Sequence, residues 1–143
     1  MTGEKADEQL ERIRAKKLDK MKKELSGNPG SVEGNWPSEP EVLTEDTFEE
    51  FINKYPLVVI DCWAPWCGPC RMVAPSVEEL AKEYKGKIAF GKLNTDENQN
   101  IAMNLSIMSI PTFLIFKKGK LVDRPVGAMP KKSLEEAITK YLE

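Results

Sequence analysis

Two cysteines stand where the sequence changes from a strand pattern to a helix pattern. Residues 57–60 are an apolar, β-branched run typical of a buried strand. Apolar residues recur at helical spacing between Arg71 and Tyr84. Cys67 and Cys70 therefore lie at the start of a helix that follows a strand. Unpaired backbone N–H groups and the helix dipole stabilise a thiolate at such a position and lower the pKa of the cysteine.

The spacing of the two cysteines predicts separate roles for them. Cys67 is nearest the junction, so we expect its sulfur to be exposed and to act as the nucleophile. We expect Cys70, one helical turn further along, to be more buried and to attack a mixed disulfide formed at Cys67. Gly68 lets a protein substrate approach the backbone. Pro69 is tolerated because a first-turn N–H is unpaired in any case.

The stretch Trp66-Cys67-Gly68-Pro69-Cys70 resembles the active-site motif of the thioredoxin family, and the resemblance extends over about residues 41–143. It implies a protein-disulfide reductase that works by thiol–disulfide exchange on disulfide-containing proteins. It also implies recycling by a thioredoxin reductase and no cofactor beyond the redox-active cysteine pair. Gly68-Pro69 favours a reductant over the alternative, a thiol oxidase or isomerase on the same fold. The sequence leaves open whether the electron donor depends on a nicotinamide or on ferredoxin.

Asp61 interrupts an otherwise apolar strand, and a buried carboxylate is costly unless it is paired or protonated. The residues alone leave two interpretations: an acid on the polar side of the strand end, or a buried acid with a raised pKa. In the second case Asp61 would accept the proton of Cys70 when that thiol attacks. The resemblance favours this second role. Lys92, in Lys92-Leu93-Asn94, matches the lysine that tunes the ionisation of this acid in the family.

The resemblance also implies a substrate-binding surface. Ile110-Pro111-Thr112 matches the family's cis-proline loop, which would lie opposite the cysteines and present the backbone of Ile110 to an extended peptide. From the residues alone Pro111 would be expected to be trans, as most X–Pro bonds are. Gly127-Ala128 matches a further substrate-facing loop. Trp66 is expected on the apolar rim that substrate proteins contact.

The hydrophobic pattern along the chain predicts the order β-α-β-α-β-α-β-β-α. Early strands joined through helices favour parallel pairing, and the last two strands form an antiparallel hairpin. This predicts an α/β fold with a mixed central sheet and helices on both faces, in agreement with the thioredoxin fold. The predicted strands are 41–43, 57–64, 87–93, 112–116 and 120–126. The first predicted helix follows an N-cap at Thr44, and the second covers residues 67–84. The third runs from an N-cap at Asp96 to about Leu105, and the fourth covers residues 130–142.

Residues 1–40 precede the region of resemblance. Residues 1–25 carry eight basic and six acidic side chains, and their apolar residues fall on one side of a helical wheel. This pattern predicts a charged amphipathic helix over about residues 7–25, followed by a Gly/Pro-rich linker at 26–40. The helix could dock on its own domain, associate with a partner or a second copy, or stay solvated. A third hypothesis is therefore an interaction module docked through residues 1–25.

Composition excludes several classes of protein. The chain has three cysteines and no histidine, which excludes Ser-His and Cys-His catalysis and argues against a metal site. Its net charge of −2 argues against nucleic-acid binding. No apolar run approaches the roughly 20 residues of a membrane span, so we expect no membrane insertion. The N-terminus lacks the apolar segment of a secretory signal, and we expect a cytoplasmic protein.

Overall fold

The computed structural model describes residues 36–142. The predicted helix over residues 7–25 and most of the predicted linker lie outside these residues. The predicted order of elements is confirmed. The described part of the chain contains β1 (Glu41–Leu43), α1 (Phe48–Lys54), β2 (Leu57–Trp63), α2 (Gly68–Glu83), β3 (Ala89–Asn94), α3 (Gln99–Asn104), β4 (Thr112–Lys117), β5 (Lys120–Asp123) and α4 (Lys131–Thr139).

The five strands form one mixed sheet in the order β1-β3-β2-β4-β5. β3 runs parallel to both β1 and β2, because the chain crosses between these strands through helices. β4 is antiparallel to β2 and to β5, and it is joined to β5 by a tight turn. The predicted mixed sheet is therefore confirmed. β2 lies at its centre with a paired strand on each side.

One face of the sheet packs against α2 and α4. Val59 of β2 lies on this face, and alternation along the strand places Asp61 on the same side. The core between the sheet and these helices consists of buried apolar side chains, namely Leu57, Val59, Val73, Val77, Leu80, Ala81, Ile88, Phe90, Phe113, Ile115, Leu134 and Ile138. Asp61 thus belongs to the layer between the sheet and α2, the helix that carries Cys70.

The opposite face of the sheet is covered by α1. The residues predicted to face inward, Phe48, Phe51 and Ile52, are all buried. Phe48 packs edge-on against Phe116 of β4, with ring centroids 5.8 Å apart. Gly91 of β3 leaves room for Leu43 of β1 and for Phe51 of this helix, because a Cβ at that position would lie 2.7 Å from Leu43 Cδ1 and 3.2 Å from Phe51 Cε2. The prediction of helices on both faces is confirmed.

Two predicted helix caps are wrong. α1 begins at Phe48 rather than after Thr44, whose hydroxyl instead accepts a 3.2 Å hydrogen bond from Asp46 N–H in the preceding turn. α3 begins at Gln99 with Asn98 at its N-cap position, so Asp96 does not cap it. Both helices start later because hydrogen-bonded turns precede them, and a sequence pattern does not distinguish such turns from a first helical turn.

Other element ends also differ from the prediction. β3 begins at Ala89 rather than at residue 87, and β5 ends at Asp123 rather than at residue 126. Pro125 lacks an N–H, and beyond it only Val126 forms an isolated bridge, to Thr112. Trp36 is buried against Tyr55, with ring centroids 4.8 Å apart, so the folded region includes a residue of the predicted linker.

We predict that Gly91→Ala lowers the free energy of unfolding by about 1–3 kcal/mol, because the added methyl group overpacks a filled site. Leu43 is buried, and Phe51 Cε2 lies 3.2 Å from the position of the new Cβ. Chemical denaturation of a double-mutant cycle with Leu43→Ala tests this. Gly91→Ala should lower the free energy of unfolding clearly less in the Leu43→Ala background than in wild type. An equal loss in both backgrounds would contradict the steric explanation.

Candidate active site

The first turn of α2 is built around the sulfur of Cys67. Cys67 is the N-cap residue of the helix, and its Sγ accepts a 3.2 Å hydrogen bond from the backbone N–H of Cys70. Pro69, between them, has no N–H to offer. Cys67 and Cys70 form a disulfide, with their Cα atoms 5.3 Å apart. The positive end of α2 is thus directed at one sulfur atom, where it favours negative charge.

The expectation that Cys67 is exposed is wrong for this disulfide form, whereas Cys70 is buried as expected. Cys67 is 3% exposed and Cys70 is 2% exposed. Both pack in a small apolar cluster with Ala64, Trp63 and Ile110. The carbonyl oxygen of Ile110 lies 3.9 Å from Cys67 Sγ. The two cysteines therefore do not differ in burial. They differ in the hydrogen bond from Cys70 N–H, which Cys67 Sγ accepts.

Asp61 is a buried acid, only 4% exposed. Its Oδ1 has no hydrogen-bond partner among residues 36–142. Burial raises the pKa of Asp61 to about 7, and the positive charge of Lys92 acts in the opposite direction. Lys92 is the direct neighbour of Asp61 in the β2–β3 pairing, and its Nζ lies 5.4 Å from the ring centroid of Trp63. The structure thus places the acid in the interior, not on a polar surface.

Two loops meet opposite the disulfide. The Ile110–Pro111 peptide bond is cis, as the resemblance implies. The N–H of Gly127 donates a 2.7 Å hydrogen bond to the carbonyl oxygen of Pro111, and Gly127 has φ +103°, a conformation that favours glycine. Ala128, the next residue, is exposed. The structure therefore brings Ile110, Pro111 and Gly127 together beside Cys67.

Trp66 lies on the surface next to the disulfide and is 68% exposed. Its indole Nε1–H donates a 3.0 Å hydrogen bond to Asp96 Oδ2. Arg71 donates a 2.6 Å hydrogen bond from Nη1 to the carbonyl oxygen of Pro65. Both contacts fix the turn that carries the cysteines. Sequence reasoning missed Asp96 and Arg71 in these roles, because nothing in their local pattern shows which distant group they contact.

Cys62 is the third cysteine, and it is free and fully buried. It follows Asp61 on β2 and therefore points to the opposite face of the sheet. Burial raises the pKa of the Cys62 thiol, the Asp61 charge raises it further, and Arg124 lowers it. Cys62 is thus a thiol held in its neutral form, away from the disulfide.

A cysteine pair at a helix N-terminus, facing a proline loop with a buried acid on the adjoining strand, defines a dithiol–disulfide oxidoreductase. Comparison with known proteins makes this assignment specific. The family model "Thioredoxin" matches residues 39–140. The chain belongs to the thioredoxin family, whose members are disulfide oxidoreductases that act through such a cysteine pair and need no prosthetic cofactor.

Similar proteins come from several lineages. Thioredoxin 1 of Nostoc sp. is 52% identical over 101 residues, which cover 70% of this chain and 94% of that protein. The chloroplastic M-type thioredoxin of Pisum sativum is 50% identical over 106 residues, 73% of this chain and 62% of its own. Among solved structures, a mutant thioredoxin from Halobacterium salinarum aligns with a TM-score of 0.71 and 32% identity, covering 76% of this chain and 95% of that one.

Two further structural findings concern the described residues only. Within residues 36–142, no three His, Cys, Asp or Glu side chains gather in a group that could hold a metal ion. No helix in the same part of the chain is both long and apolar enough to cross a membrane.

We predict that Asp61 makes the stability of the disulfide form depend on pH. Its pKa is raised to about 7 on folding, so the folded state keeps a proton that the unfolded state releases above about pH 4. This contribution to stability is complete below about pH 4 and is lost as the pH rises through about 7. Relative to wild type, Asp61→Asn should therefore gain about 4 kcal/mol of stability between pH 4 and pH 8, since each pKa unit corresponds to about 1.4 kcal/mol.

Urea denaturation of the oxidised protein across this pH range measures the difference. Asp46→Asn, which replaces an exposed acid in the turn before α1, is the matched control. A constant difference between Asp61→Asn and wild type from pH 4 to pH 8 would show that the pKa of Asp61 is not raised.

Proposed function

We propose that this chain reduces protein disulfides, with Cys67 as the attacking and Cys70 as the resolving cysteine. The hydrogen bond from Cys70 N–H to Cys67 Sγ supports this assignment, because it stabilises a thiolate at Cys67. The Cys67 thiolate attacks one sulfur of the target disulfide, and the other target sulfur leaves and takes up a proton. Cys70 then attacks Cys67 Sγ, which releases the second target thiol and leaves the Cys67–Cys70 disulfide. Two electrons pass to the target.

Asp61 is proposed to accept the proton of Cys70 in the second step. An acid with a pKa of about 7 can exchange a proton near neutral pH, whereas an ordinary aspartate is too weak a base. Its position in the layer between β2 and α2 is consistent with a path to Cys70. Lys92, its neighbour in the sheet, opposes the effect of burial and is proposed to keep the pKa of Asp61 in this range.

The substrate is proposed to lie across the loops beside the disulfide. Ile110 would offer its backbone to an extended target segment, next to the buried Pro111. Gly127 and Ala128 would border the same segment, and the exposed ring of Trp66 would contact its apolar side chains. Gly68 and Pro69 would lie under the target disulfide. The side chain of Gly68 is a single hydrogen atom, so the target disulfide can approach the backbone at this residue.

A thioredoxin reductase is the proposed source of electrons, and disulfide-containing proteins are the proposed targets, as for the family. The compartment is proposed to be a reducing one. The sequence favours the cytoplasm, and the name of the chloroplastic M-type relative supports a chloroplast as the alternative. Self-association or docking through the predicted helix 7–25 falls outside the described residues.

We predict that the two active-site cysteines behave differently when each is changed to serine. Cys70→Ser should accumulate a mixed disulfide between Cys67 and a target protein, because the resolving thiol is missing. Cys67→Ser should trap nothing, and both should lose turnover by roughly a thousandfold or more. The products are separated by non-reducing electrophoresis and identified by mass spectrometry.

Cys62→Ala provides both a background and a control for this experiment. When Cys62→Ala is combined with each serine variant, it removes the third thiol. As a single substitution, Cys62→Ala should retain the wild-type rate because Cys62 is fully buried. Trapping by Cys67→Ser instead of Cys70→Ser would reverse the proposed roles.

The reduction potential of the Cys67–Cys70 pair tests whether the protein is a reductant. We predict a potential below the glutathione poise of a reducing cytosol, which is about −220 to −260 mV. Equilibration in graded dithiothreitol buffers, with alkylation of free thiols, gives the value. A potential well above that poise would instead favour the oxidase or isomerase.

A further inference from the structure

The loop that carries Ile110 begins at an unusual helix end. α3 finishes in a Schellman motif, in which Ser106 N–H donates to Met103 O at 3.0 Å and Ile107 N–H donates to Ala102 O at 2.9 Å. Ser106 occupies the left-handed position of this motif with φ 54°, where glycine is usual. The start of the loop is therefore a strained turn that needs outside support.

Arg124 provides such support from the segment that follows β5. Its Nη2 donates hydrogen bonds to the carbonyl oxygens of Leu105 at 2.6 Å and of Ser106 at 3.0 Å. The Schellman bonds do not use these two carbonyls, so the guanidinium group supplies donors to them at the negative end of α3. One side chain thus fixes the point at which the chain leaves α3.

The backbone of Arg124 is itself held in place. Its N–H donates a 2.8 Å hydrogen bond to Asp123 Oδ1. The other carboxylate oxygen, Asp123 Oδ2, accepts a 2.7 Å hydrogen bond from the hydroxyl of Tyr141. The guanidinium group therefore projects from a fixed support at the end of β5.

The same short segment also holds the far end of the loop. Gly127 N–H donates to Pro111 O at 2.7 Å, and Phe113 N–H donates to Pro125 O at 2.8 Å. Residues 124–127 thus hold the loop 105–111 at both ends. Between these two attachments lie the exposed Met108 and the partly buried Ile110. The carbonyl oxygen of Ile110 is 3.9 Å from Cys67 Sγ.

We propose that Arg124 is a positioning residue for disulfide exchange with protein substrates. By holding Leu105 and Ser106, it sets the position of the Ile110 backbone relative to Cys67. This inference rests on the proposed function. A protein substrate must contact both the loop and the sulfur, whereas a small disulfide needs only the sulfur. Loss of Arg124 should therefore weaken the use of protein disulfides selectively.

Arg124→Met tests the proposal, since it keeps much of the side-chain stem and removes the donors. With dithiothreitol as the electron source, we expect KM for insulin to rise roughly three- to tenfold with kcat nearly unchanged, as for the loss of a charged hydrogen bond. The rate with a small aromatic disulfide and the reduction potential of the pair should not change. Arg124→Lys, which retains a charged donor, should restore KM to within about twofold of wild type.

Lys120→Met is the matched control, because it removes one exposed positive charge from the other end of β5. All assays are run at a temperature where thermal melts show every variant folded. Hydrogen exchange supplies a readout that does not depend on reductase activity. The backbone N–H groups of Ser106 and Ile107, which are hydrogen-bonded in the Schellman motif, should exchange faster in Arg124→Met than in wild type, and they should not in Lys120→Met.

The outcomes separate this inference from the proposed function. An equal loss of rate with insulin and with the small disulfide would overturn the positioning role, because it would indicate damage to the cysteine pair itself. Unchanged KM and unchanged hydrogen exchange in Arg124→Met would also overturn it. If wild-type protein fails to reduce insulin, the proposed function fails, whereas the exchange data still report whether Arg124 holds the loop.

Discussion

The structure depends on the burial of β2 between two neighbouring strands and two layers of helices. A strand buried on both faces must be apolar throughout, and Leu57 to Ile60 satisfy this requirement. Its pairing with β3 and β4 over most of its length fixes where it ends. The chain then turns after Trp63 and reaches Cys67, the N-cap residue of α2. The position of the reactive sulfur is therefore determined by the most constrained strand in the molecule.

The same strand contains the main departure from apolar character, at Asp61. Its side chain lies in the core layer under α2, and its Oδ1 lacks a hydrogen-bond partner among the described residues. A group of this kind destabilises the fold when it is charged. The arrangement makes physical sense if the acid is needed for proton transfer, since the burial that destabilises its charged form also raises its pKa to about 7. In the proposed role of Asp61, stability and proton transfer thus make opposite demands on this residue.

The sequence predicted what depends on local pattern. It predicted the order of elements, the two-sided sheet, the inward face of α1 and the cysteine pair at the start of α2, because each depends on periodicity or on residues adjacent in the chain. It was wrong where a polar residue had two possible partners. Asp96 could cap a helix or bind a distant indole, and the structure shows that it accepts a hydrogen bond from Trp66. The exposure of Cys67 was also wrong, because Ile110, which helps to cover it, is 43 residues further along the chain.

The substrate-facing side of the site is built almost wholly from such distant contacts. Ile110 follows a short helix that buries none of its own residues, so α3 has little packing of its own to hold the loop in place. The loop is fixed instead by hydrogen bonds from residues 124–127, which follow the edge strand β5. The cysteines, by contrast, stand on α2, whose apolar face is buried in the core. In the proposed mechanism the nucleophile is therefore carried by a rigid element, and the position of the substrate depends on a few hydrogen bonds. Such a division allows substitutions around the loop to alter the choice of target while the redox chemistry at Cys67 and Cys70 stays the same.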